Sequence, residues 1–194
     1  MLLMGMFSDD ISMYAVKNQK FNLMTLISTI LAPDTSNNKF KTLKSLLTGR
    51  IFAACTMIAD LINAHDKDTT VFINKMLGAC VDGISAQLPI SVKMSATRCL
   101  IKLLRRLPQD CLPEPSIIEK GLPHLLKLLE EASLETVNLP VEAFTTLSKQ
   151  YEAQVTSMAH LVTPKLQSLF SKHHSEGNLG NELISLFRIW CRFE

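Results

Sequence analysis

The chain has 194 residues, 47% of them hydrophobic, and a formal net charge of +2. That length fits one sizeable core or a short run of repeats, and the apolar fraction excludes a disordered chain. The charge is too small to argue for nucleic acid by itself. Aromatics (6%) and glycines (7) are sparse, while Leu, Ala, Met, Lys and Glu favour helix.

The opening MLLMGMF lacks the basic leader and cleavage site of a signal peptide, and no run approaches the length of a membrane span. Residues 8–20 are weakly patterned, with Asp9 and Asp10 near a helix start. The stretch 21–31 reads as a short apolar helix ended by Pro33, and 34–39 as a polar loop. Residues 42–64 carry a long helical pattern through Leu43, Leu46, Leu47, Phe52, Ala54, Ile58, Leu61 and Ile62. Asp68 is the expected N-cap of a helix over 69–85.

A short turn around Leu88 and Pro89 leads into the most strongly patterned stretch, 87–107, QLPISVKMSATRCLIKLLRRL. At ~100° per residue, Val92, Ala96, Leu100, Leu103, Leu104 and Leu107 share one side, and Arg98, Lys102, Arg105 and Arg106 the other. Pro89 suits a first turn, and Ala96 is small enough for a neighbouring helix to come close.

Pro108 and Pro113-Glu114-Pro115 form a longer connection. A helix over 116–131 follows, its start bent by Gly121 and Pro123. The next, 134–150, is expected to bend at Pro140, which cannot bond the Thr136 carbonyl and crowds it. A helix over 153–171, a turn over 173–180 containing Gly177, Asn178 and Gly180, and a helix over 183–193 complete the chain. No alternating run is bounded by hairpin signals, so the expected class is all-α.

The helices pair into units over roughly 21–64, 68–107, 115–150 and 153–193, a period of about 40 residues, in the range of two-helix HEAT or armadillo units. Arg50, Ile51, Ala53, Met57 and Leu61 match Lys93, Met94, Ala96, Leu100 and Leu104 at a constant offset of 43. The expected architecture is therefore one α-solenoid of about four two-helix units over 1–194, with Ala53 and Ala96 buried at equivalent places. A single irregular helical bundle is the alternative.

Residue chemistry points away from catalysis. Cysteines at 55, 80, 99, 111 and 191 are odd in number and form no CxxC. They read as reduced small hydrophobes, which favours a cytosolic or nuclear protein. Histidines at 65, 124, 160, 173 and 174 have no zinc spacing, and His173-His174 reads as a pair of solvated turn residues. Glu130-Glu131 reads as a solvated helix end. No GxSxG, P-loop, GxGxxG or HExxH occurs, so no cofactor, metal or catalytic set is expected.

LPISVKMSATRCLIKLL resembles the HEAT signature in its proline, its Val beside a basic residue, and the Ala and Leu that follow. FNLMTLISTILAPD, LLTGRIFAAC, FINKMLGACVDGIS, LPISVKMSATRCL and GLPHLLKLLEEASLETVNLPVEAF resemble blocks of the importin-β superfamily of nuclear transport receptors, the karyopherins. The resemblance runs from about Phe21 to Phe193 and is diffuse, because HEAT motifs encode packing. It implies an internal piece of a longer receptor that carries protein cargo between cytoplasm and nucleus. In the branch most similar to this chain, that cargo includes core histones. The resemblance also implies that the GTPase Ran binds through repeats outside this chain. A HEAT scaffold that assembles an enzyme or a cytoskeletal complex would have the same fold.

One charge feature stands out. Lys93, Arg98, Lys102, Arg105 and Arg106 come with no acid between them. They read either as a solvated outer face, with cations favourable at a helix C-terminus, or as an inner-face patch for an acidic loop or partner. No aromatic residues interleave them, which speaks against direct nucleic-acid binding. The final helix places Leu183, Leu186, Phe187, Trp190 and Cys191 over a broad apolar sector. Phe187 and Trp190 read as packing residues or as apolar surface left for a next repeat. One preceding unit is expected to cover only part of the sector, so the chain is expected to self-associate through uncapped ends or to be cut from a longer array.

Overall fold

The computed structural model describes residues 41–59, 67–107, 115–133 and 135–192, which hold seven α-helices and no strand. The helices are α1 Lys41–Ala59, α2 Lys67–Ser85, α3 Ile90–Arg106, α4 Pro115–Glu131, α5 Asn138–Gln150, α6 Glu152–His173 and α7 Gly177–Trp190. The expectations for 1–40 and for Cys111 lie outside the described residues. The all-α class holds for the rest. The chain divides into two compact units, Met1–Ile117 and Ile118–Glu194.

In the first unit, α3 packs on both α1 and α2. A stripe of Thr48, Ile51, Phe52, Cys55 and Ala59 is buried along α1 at helical spacing. Gly49 sits where a Cβ would lie 3.6 Å from Val92. One turn on, Phe52 and Ala96 meet at the same point of α2, so α1 and α3 run in the same direction. That point is Gly83. A Cβ there would lie 2.5 Å from the Phe52 ring and 3.3 Å from the Ala96 Cβ. Ala96, fully buried, thus allows the close approach its size suggested, and Gly83 completes it.

The repeat alignment needs a correction. Ala96 is buried, but Ala53 is exposed. At an offset of 44, Thr48, Phe52, Cys55 and Ala59 meet the buried residues Val92, Ala96, Cys99 and Leu103, whereas buried Ile51 and Ala54 meet half-buried Ser95 and exposed Arg98. At this offset Ala53 pairs with buried Thr97, so its exposure does not follow from the register. Asp68 falls inside α2 rather than before it.

The second unit is closed differently. α7 packs on α5 and α6, and α5 on α6. The Trp190 ring meets Phe144 edge-on, with centroids 5.4 Å apart and planes at 76°. Leu183, Leu186 and Trp190 are fully buried, Phe187 is half-buried and Cys191 exposed. The apolar sector of the last helix is therefore mostly covered within the chain, against expectation, because α5 and α6 both reach it.

Pro140 does not bend a helix. Ser133 and Thr136 close a turn, with Val137 N–H donating to the Ser133 carbonyl at 2.8 Å. α5 begins only at Asn138, so buried Pro140 lies in the first turn, where a missing N–H loses no helical bond. Pro123 and Pro164 lie inside α4 and α6. Both are exposed, as are Glu119 and His160 one turn earlier, so the carbonyls left without a donor lie on outer faces.

The turn before α7 is shorter than expected. Gly177, at φ +47, already opens the helix, a conformation that disfavours other residues. At Gly180 a Cβ would lie 2.7 Å from the His174 carbonyl oxygen. These glycines let the chain re-enter a helix at once.

Candidate functional site

The basic stripe on α3 is the most concentrated charge feature that the sequence predicted. α3 opens without a side-chain cap: the Pro89 carbonyl accepts from the N–H groups of Val92 (3.0 Å) and Lys93 (3.2 Å). At the far end Leu107 turns extended while its N–H still bonds the Leu103 carbonyl at 3.2 Å. Arg105 and Arg106 sit in the last turn, where the helix carries partial negative charge.

Because α1 and α2 both cover it, α3 is buried over roughly two thirds of its circumference, from Val92 and Cys99 round to Met94 and Ile101. Thr97 lies within that arc, its hydroxyl donating to the Lys93 carbonyl at 2.8 Å. The remaining third holds Arg98, Lys102, Arg105 and Arg106, in line with Ser91 and Ser95. Arg98, Arg105 and Arg106 are exposed and Lys102 is half-buried. Lys93 does not join them. It points to the opposite side of the helix, half-buried, so the expected five-residue set becomes a four-residue stripe.

Like charges spaced four apart, Arg98 with Lys102 and Lys102 with Arg106, each disfavour an isolated helix by about 0.2–0.5 kcal/mol. The apolar burial of α3 outweighs that, at about 1.5–3 kcal/mol for each fully buried leucine-sized side chain.

A second cluster went unread in the sequence. Cys55 from α1, Cys80 from α2 and Cys99 from α3 converge in the core of the first unit, all free and buried. Burial, reinforced by the neighbouring Cys99 thiol, pushes the thiols of Cys55 and Cys80 well above the ordinary thiol range. The available signal was the spacing of Cys55 and Cys99, which is the same 44 residues as the burial register. Cys191 is exposed.

Other titratable groups play structural parts. His173 is buried, contrary to its solvated reading, and its Nδ1 lies 3.1 Å from Glu176 Oε1. His174 is exposed, its Nδ1 3.1 Å from the Ser171 carbonyl. Lys165 Nζ reaches Glu130 Oε1 at 3.0 Å, tying α6 to α4. Burial raises the Tyr151 phenol. Among the described residues no three His, Cys, Asp or Glu side chains are placed to hold a metal ion. No described helix is long and apolar enough to cross a membrane.

No protein-family model, curated protein or solved structure matches the chain.

Proposed function

We propose that the chain is a helical-repeat segment that binds protein, of the kind from which importin-β type receptors are built, with importin-9 one individual likeness. The observation that supports this reading is the relation of α1 to α3. They are parallel and share four buried positions at an offset of 44, within the LLTGRIFAAC and LPISVKMSATRCL blocks that carry the resemblance. The segment works by binding rather than chemistry, contributing part of a curved surface in a receptor that moves between cytoplasm and nucleus. Ran acts through repeats outside this chain.

Charge divides the partners. Core histones are strongly basic, and a stripe of Arg98, Lys102, Arg105 and Arg106 repels them. Histone cargo therefore belongs on another surface, and the stripe belongs to an acidic loop or acidic partner. Two titrations test the reading. The full-length protein that carries this segment is expected to bind a core histone dimer and release it when Ran loaded with a GTP analogue is added. Binding of neither favours a HEAT scaffold for an enzyme or cytoskeletal complex. A polyglutamate peptide is expected to bind the chain in a salt-sensitive way that Arg98→Glu with Arg105→Glu abolishes. Unchanged peptide binding in that variant removes the stripe from the account.

A further inference from the structure

The core of the first unit places two thiols where helices are closest. α2 and α3 touch at Gly83 and Ala96, where a Cβ on the glycine would stand 3.3 Å from that of the alanine. The helices are joined by a short connection over 86–89 and run in opposite directions. One turn back on α2 is Cys80, and one turn on along α3 is Cys99. The two side chains therefore face each other beside this close approach, near enough for Cys99 to help raise the Cys80 thiol. Cys80 is 1% exposed and Cys99 0%. Disulfides need Cβ atoms about 3.5–4.5 Å apart, a separation that only closely packed helices provide.

We propose that Cys80 and Cys99 are a latent disulfide pair, which a two-electron oxidant of the diazene class closes when the first unit opens, tying α2 to α3 beside Gly83. Two S–H bonds break and one S–S bond forms. Both hydrogens and the electron pair pass to the N=N bond, which becomes a hydrazine. In the closed fold the pair is silent for two reasons. The oxidant has no path to it, and burial holds the Cys80 thiol protonated while the thiolate is the reacting form. Local opening removes both protections at once. Once formed, the bond holds α3 against α2 and so fixes the direction in which the basic stripe points. Cys55, the third thiol of the cluster, is left reduced.

Oxidation of the full chain with diamide tests this, in native buffer and at a series of urea concentrations below the unfolding midpoint. Free thiols are then alkylated and the digest mapped by mass spectrometry. In native buffer, exposed Cys191 is expected to react at least about tenfold faster than Cys80 or Cys99. As urea rises, an intramolecular Cys80–Cys99 cross-link is expected to become the main product. It should raise the urea midpoint of the cross-linked chain, and dithiothreitol should reverse the rise. Three results overturn the proposal: Cys55 as the dominant partner of either residue, alkylation of both thiols under partial opening without a cross-link, or a cross-linked chain that unfolds no later than the reduced one.

Discussion

The centre of the first unit is made of absences: Gly83 and Ala96 let α2 meet α3, and the Phe52 ring of α1 lies against the glycine. The centre of the second is made of rings, with Trp190 set edge-on against Phe144 and α5, α6 and α7 gathered round the pair. The first arrangement brings backbones close and has no room for an added carbon. The second depends on large side chains staying large. Helices of similar length and composition can thus be closed by either means, and the two means fail under opposite substitutions.

Trp190→Ala is expected to have the largest effect, a loss of about 3–5 kcal/mol, because it removes a fully buried indole and its aromatic partner contact together. Trp190 is the single tryptophan, so far-UV circular dichroism in denaturant is the appropriate readout. A loss below about 1 kcal/mol would mean that the rings do not close the second unit. Leu100→Ala, in the buried arc of α3, follows at about 2–5 kcal/mol. Lys102→Ala, on the stripe side of the same helix, comes last, within roughly 0.5 kcal/mol. Equal denaturant shifts for Leu100 and Lys102 would erase the assignment of faces.

Much of this contrast was legible in the residues, but not its register. Ala96 announced a close approach because a small residue sat among leucines, and the approach is there. Its partner Gly83 gave no such sign, since a glycine inside a helical pattern does not say which neighbour it faces. The offset of 43 matched residue types and the offset of 44 matches four buried positions. Ala53 is exposed although its counterpart is buried at either offset, Ala96 at 43 and Thr97 at 44, and Lys93 was grouped by charge although helical spacing sets it across α3 from Arg98. Pro140 was misread by its position. Pro140 looked internal until Ser133 and Thr136 made their own turn, which moved the helix start past it. Trp190 was expected to be only partly covered; its cover comes from α5 and α6 together, the two helices that precede it, and periodicity within one helix cannot report that.

The close approach at Gly83 is the central claim, since the orientation of α3, the direction of its basic stripe and the facing thiols all follow from it. α2 carries its own control. At Gly78 an added Cβ meets nothing within 4 Å, whereas at Gly83 it lies 2.5 Å from a buried ring. The urea midpoints of Gly78→Ala and Gly83→Ala, measured side by side, test the claim most directly. Alanine replaces glycine favourably inside a helix, so Gly78→Ala is expected to stabilise by about 0.5–1 kcal/mol. Gly83→Ala is expected to destabilise by about 1–3 kcal/mol, part of it recovered when Phe52→Leu makes room. If both alanines stabilise the chain alike, α2 and α3 do not meet at Gly83 and the packing of the first unit described above is wrong.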